Sequence, residues 1–121
     1  MDEKDKRIQE LQRENETLRA KIAEMMRVNT YFDTVIDKAI AKNGIPMQSV
    51  VAMEEMAELQ KELSKAIRSM FTTGNYDTSG MLEEVADVRI MLKQIMAMYN
   101  LDEKAVQAIM HTKMLRLDGR L

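Results

Sequence analysis

The sequence predicts an all-α protein, and three observations carry that reading. Proline occurs once and glycine four times in 121 residues, too few for a turn-rich all-β chain. Apolar residues recur at helical spacing through the long segments between breaks. The breaks themselves fall at a few points: Asn43-Gly44-Ile45-Pro46, the polar run Thr72–Gly80, Asn100-Leu101-Asp102, and Gly119 near the end. Helices are therefore expected at about 3–42, 47–71, 79–99 and 103–117.

Composition excludes several function classes. No cysteine is present, which removes disulfide scaffolds, thiol nucleophiles and zinc–thiolate sites. One histidine cannot build a His-rich metal site or the paired Glu-x-x-His motifs of di-iron bundles. A net charge of −2 gives no bulk attraction to nucleic acid or anionic membranes. Apolar runs are too short to span a bilayer, and MDEKDKRIQE lacks the apolar core of a signal peptide. A cytoplasmic protein is the expectation.

The first helix reads as two segments. Up to residue 29, Ile8, Leu11, Leu18, Ile22 and Met25 occupy heptad a and d positions, with Asn15 and Asn29 at the other a positions. Asn15 is the kind of buried polar a residue that fixes register, and Glu14 at g faces Arg19 at e of a partner helix. An a/d seam is narrow for a globular face, so residues 1–29 are expected to form a two-chain coiled coil, with a single amphipathic helix lying on the globular body as the alternative. Beyond Asn29 the stripe broadens through Tyr31, Phe32, Val35, Ile36, Ala39 and Ile40, as expected for a segment entering a helical core. The remaining unit, 30–121, is small for a self-sufficient core.

The third helix is apolar around most of its circumference, from Met81 to Tyr99, which predicts burial on all sides and hence a second subunit. Thirteen methionines suit such irregular interior space, with a Met-lined ligand pocket as the alternative.

Against this background the acids of the second and third helices stand out. Glu54, Glu55 and Glu58 share one face within a turn, and Glu84 and Asp87 lie i, i+3 on the next helix. Like charges at this spacing repel, and more so when desolvated, so two such clusters on successive helices ask for a cation. Solvated acidic faces, or neutralisation by Lys and Arg, are the plainer alternatives. Oxygen-only ligands suit Mg2+ or Mn2+. A hairpin of the two helices permits the clusters to meet if the loop after residue 71 climbs back beside the longer helix.

The arrangement Glu54-Glu55-Met56-Ala57-Glu58 followed by Glu84-Val85-Ala86-Asp87 resembles the E-E-x-x-E…E-x-x-D signature of the all-α nucleoside triphosphate pyrophosphohydrolases, the superfamily of MazG and the helical dUTPases and dCTPases. The chain looks most like the short MazG-like proteins of phages and Gram-positive bacteria, over roughly residues 30–117. The resemblance implies a four-helix MazG-like bundle, oligomeric, with the coiled coil as an N-terminal extension outside the family core. It implies Glu55, Glu58, Glu84 and Asp87 as Mg2+ ligands and Glu54 as the base for the attacking water or a carboxylate behind the ligands. The implied reaction takes a nucleoside triphosphate to the monophosphate and pyrophosphate.

Phosphates would be gripped by basic side chains. Lys65, Arg68, Lys113 and Arg116 are the candidates, with His111 a lesser one. Tyr31, Phe32 and Tyr76 are the few aromatics placed to stack on a base. The expected partners are the nucleotide and further copies of this chain, a dimer or a tetramer. Two alternatives stand beside the enzyme: a non-catalytic helical oligomerisation module, and a nucleotide or metal sensor.

Overall fold

The computed structural model describes all 121 residues and contains four helices and no strand: α1 (Glu3–Asn43), α2 (Ile45–Thr72), α3 (Ser79–Met98) and α4 (Glu103–Asp118). No helix is long and apolar enough to cross a membrane. The chain divides into two compact units, Met1–Ile36 and Asp37–Leu121.

The first unit is helical from Glu3 onward. Asp2 opens it by accepting a hydrogen bond from the Asp5 backbone N–H at 2.8 Å, satisfying one donor of the first turn. Ion pairs Glu3–Lys6, Arg7–Glu10 and Glu24–Arg27 run along the helix at i, i+3. Every residue from Met1 to Val35 is exposed, and only Ile36, the last, is buried.

In the second unit each helix boundary has a local cause. Gly44 has φ +82°, a left-handed conformation that ends α1, and Pro46 then stands in the first turn of α2, where a missing N–H costs nothing. α2 closes through the Thr73 and Gly74 N–H groups, both donating to the Ser69 carbonyl, with Gly74 at φ +76°. Asp77 Oδ1 accepts from the backbone N–H and the hydroxyl of Ser79, tying down the start of α3. Asn100, left-handed at φ 50°, stops the chain after α3, and Asp102 caps α4 by accepting from the Ala105 N–H at 3.0 Å.

The core of this unit is the antiparallel seam between α2 and α3. As α2 numbers rise, α3 numbers fall: Gln48 bonds Gln94, Glu55 meets Asp87, and Glu62 lies on Gly80. The steps are seven residues on both helices, two turns or ~10.5 Å, so the same faces stay in contact. Ala52, Ala66, Met91 and Met98 supply the buried apolar positions. α3 begins opposite Glu62 although α2 runs on to Thr72, so the loop from Thr73 to Thr78 climbs back beside α2, as the sequence allows.

Two helices of this unit leave much of their apolar surface uncovered. α4 has no packed interface with α2 or α3 and buries none of its residues. Of the long apolar run of α3, only Met91 and Met98 are buried in the single chain, with Leu82, Ile90 and Leu92 exposed.

Candidate metal centre

Glu55 of α2 and Glu84 and Asp87 of α3 converge midway along the seam. One carboxylate oxygen from each lies within 4.8 Å of the others, and all three side chains are half-buried. The helical frame explains the convergence. Glu84 and Asp87, three residues apart, lie side by side on α3, and the antiparallel register sets Glu55 against them.

The electrostatics are those of acids forced together. Desolvation pushes the Glu55 carboxyl up from its ordinary 4.5, reinforced by the charges of Asp87 and Glu84, by a hydrogen bond with Asp87, and by the Glu58 charge. Glu84 is raised for the same leading reason, then by Asp87, Glu58, Glu62 and Glu83. Its Oε2 is buried and has no hydrogen-bond partner. A buried acceptor without a donor costs free energy, and a carboxylate costs most of all. No lysine or arginine forms an ion pair with any of the three.

The other expected site residues fall around this triad unequally. Glu58 is exposed and outside the three-oxygen set, though its charge raises both Glu55 and Glu84. Glu54 is exposed beside Glu55. Lys65 is tied to Glu62 at 3.1 Å and so is already neutralised in part. Arg68, Lys113, Arg116 and His111 are exposed, and the last three ride on the unpacked α4, so no helix packing carries them to the carboxylates.

Glu62 is the acid that the motif reading left out of the site. Its carboxylate occupies the space a β-carbon on residue 80 would take, with Oε2 2.9 Å from that position, so Gly80 is what admits it. The signal was present in the sequence as spacing: Glu62 follows Glu55 by seven residues, and Gly80 precedes Asp87 by seven.

The same spacing toward the other end of the seam gives the buried pair Gln48 and Gln94. The Gln48 Nε2 donates to the Gln94 Oε1 at 2.6 Å, and the Asn43 Nδ2 donates to the Gln48 Oε1 at 3.0 Å. These amides form a satisfied polar layer, unlike the carboxylates one layer along. Beside Glu62, an open cavity of about 350 Å³ is lined by Lys65, Ser69, Tyr76, Asp77 and Gly80. Tyr76 is thereby the one aromatic of the three stacking candidates that stands in the loop next to the acidic seam.

Oxygen donors of this number and hardness fit Mg2+, Mn2+ or Ca2+ and not a thiophilic metal. Comparison with family models finds no match to this chain, and comparisons with curated proteins and with solved structures find none either.

Proposed function

We propose that the protein is a Mg2+-dependent nucleoside triphosphate pyrophosphohydrolase whose metal centre is built on Glu55, Glu84 and Asp87. The observation that carries the reading is the unpartnered, buried Oε2 of Glu84 within a triad of carboxylates that no basic side chain neutralises. A hard divalent cation supplies what the triad lacks, and when bound it activates water and withdraws charge from phosphoryl oxygens. Mn2+ is the natural substitute.

The chain's own residues divide the remaining work. Glu55, Glu84 and Asp87 hold the cation, and Glu58, exposed one turn from Glu55, is the fourth ligand the motif implies. Glu54 takes the proton from the attacking water or steadies the ligands from behind. Lys65 and Arg68, on the same helix as Glu55, bind the substrate's phosphates. Lys113 and Arg116 share that task only in an assembly that packs α4. The resemblance to the MazG-like superfamily in the Glu54–Glu58 and Glu84–Asp87 motifs supports the same reaction, cleavage between the α and β phosphates.

Assembly belongs to this reading. The apolar residues left exposed on α3 and α4 need cover that one chain does not provide, and a cytoplasmic homo-oligomer, dimer or tetramer, provides it. The same exposed residues favour the second reading, a helical oligomerisation module in which the acids only solvate a surface.

Product analysis decides between them. Purified protein is incubated with Mg2+ and a panel of ribo- and deoxynucleoside triphosphates, and the products are resolved by anion exchange, with Glu55→Gln as control. Monophosphate and pyrophosphate from the wild type alone are expected. Orthophosphate release, or no turnover, overturns the assignment.

A further inference from the structure

We propose that residues 8–25 of α1 form a parallel, in-register, two-stranded coiled coil with a second copy of this chain. The inference is independent of the enzymatic reading.

The first unit leaves its whole apolar seam uncovered: Ile8, Leu11, Leu18, Ile22 and Met25 are between 43% and 64% exposed. Its helix runs without a break or kink-forming residue through all of these positions, as a continuous a/d stripe requires. A seam this narrow is complementary to another of the same width, and the chain itself carries one in every copy.

The residues on the seam select strand number and direction. Ile8 and Ile22 are β-branched and at a, while Leu11 and Leu18 are at d, the combination that packs two parallel strands in preference to three or four. Asn15, also at a, meets Asn15 of the other copy only if the helices are parallel and in register, where the two amides can bond. In an antiparallel pair centred on the same seam, Asn15 would oppose Leu18 and its amide would be buried without a partner.

The flanking charges agree. Glu3, Lys6, Arg7, Glu10, Glu24 and Arg27 are used in ion pairs within the helix, and none of them stands at a or d. Glu14 at g and Arg19 at e have no ion pair in their own chain. In the parallel dimer each Glu14 reaches Arg19 of the second copy, giving two equivalent pairs related by the two-fold axis.

The chain has no cysteine, so a single introduced thiol reports the geometry. Lys4 occupies the d position one heptad before Leu11, and in the full-length protein Lys4→Cys places the two thiols side by side only in a parallel in-register pair. In a glutathione redox buffer, near-complete disulfide-linked dimer is expected. A thiol that stays free overturns the proposal. That result would mean that the seam is covered antiparallel, by a different protein, or not at all.

Charge exchange then tests the register. Carrying Lys4→Cys throughout, Glu14→Arg puts two arginines in apposition in its own homodimer, and Arg19→Glu puts two glutamates. Mixed together at redox equilibrium, the two variants restore both pairs, so the mixed disulfide should exceed the homodimers several-fold beyond the chance ratio. A chance distribution overturns the Glu14–Arg19 register. Disulfide yield does not depend on turnover, so this result and that of the product analysis are read separately.

Discussion

The N-terminal unit and the α2/α3 hairpin both repeat every seven residues, yet they satisfy that repeat in different ways. On α2 and α3 the facing layers at Gln48, Glu55 and Glu62 meet Gln94, Asp87 and Gly80 within one chain. On residues 8–25 the seam is apolar apart from Asn15, and its apolar side chains are exposed. A heptad pattern marks one narrow apolar face of a helix and leaves open what covers it. What distinguishes the two regions is the polar content of the seam. One asparagine in an apolar stripe is the pattern that fixes pairing in coiled coils, whereas three half-buried carboxylates in a layer cost stability unless a cation offsets them.

The sharpest way to break this comparison is to remove one carboxylate. Glu55→Gln keeps the shape and takes away a proposed ligand, and metal-dependent turnover should fall by roughly 100-fold or more, since changes behind a ligand already cost about 10–100-fold. Steady-state rates at saturating Mg2+ check this. An unchanged rate would place the seam acids among surface charges.

The amide layer should respond in stability instead. Gln94→Ala strands the buried Gln48 amide and should destabilise the fold by about 1–3 kcal/mol, read as a lower midpoint in urea. Replacing Gln48 and Gln94 together by leucine should recover much of that loss, because no polar group is then left unpaired.

The effect of pH separates the two kinds of layer further. Glu55 and Glu84 are raised in the folded protein above the ordinary 4.5, so between those values the folded state binds more protons than the unfolded chain. Without divalent cation, stability therefore falls as pH rises through that window, and the full cost is present above the raised values. Glu55→Gln should raise the Tm of the metal-free protein at neutral pH, and the gain should disappear below the unfolded value. Mg2+ should raise the Tm of the wild type at neutral pH and lose that effect as the acids protonate. Thermal melts across pH with and without Mg2+ measure both.

Gly80→Ala should give the smallest change. The new β-carbon meets only the mobile end of Glu62, and a better helix former offsets the displacement, so stability should stay within about 1 kcal/mol. A shift in Mg2+ affinity without a shift in urea midpoint would bring Glu62 into the electrostatics of the proposed metal site.

These variants mark how far the site was legible in the sequence. Glu54, Glu55, Glu58, Glu84 and Asp87 could be picked out because helical periodicity fixes which acids share a face and how far apart they lie. Glu62 could not be weighted the same way, because its place depends on a missing side chain across the seam at Gly80. Gln48 and Gln94 are illegible in the sequence for a related reason. A lone glutamine carries no pattern, and their pairing exists only once the register of the two helices is set. The contact of Lys65, a phosphate candidate, with Glu62 at 3.1 Å follows from their i, i+3 spacing.

By itself the sequence determined that the chain is helical and where each helix stops. It also determined which acids stand together on each helix face. Those properties are local: they follow from the backbone freedom of Gly44, Gly74 and Asn100, from the Asp77 and Asp102 side chains, and from 3.6 residues per turn. Only the tertiary structure decided that Glu55 faces Glu84 and Asp87 while Glu58 stays outside, that the Glu84 Oε2 is left without a partner, and that α4 packs on neither helix of the hairpin. Each of these depends on the relative register of two helices, and an offset of one residue turns every side chain about 100° around its axis.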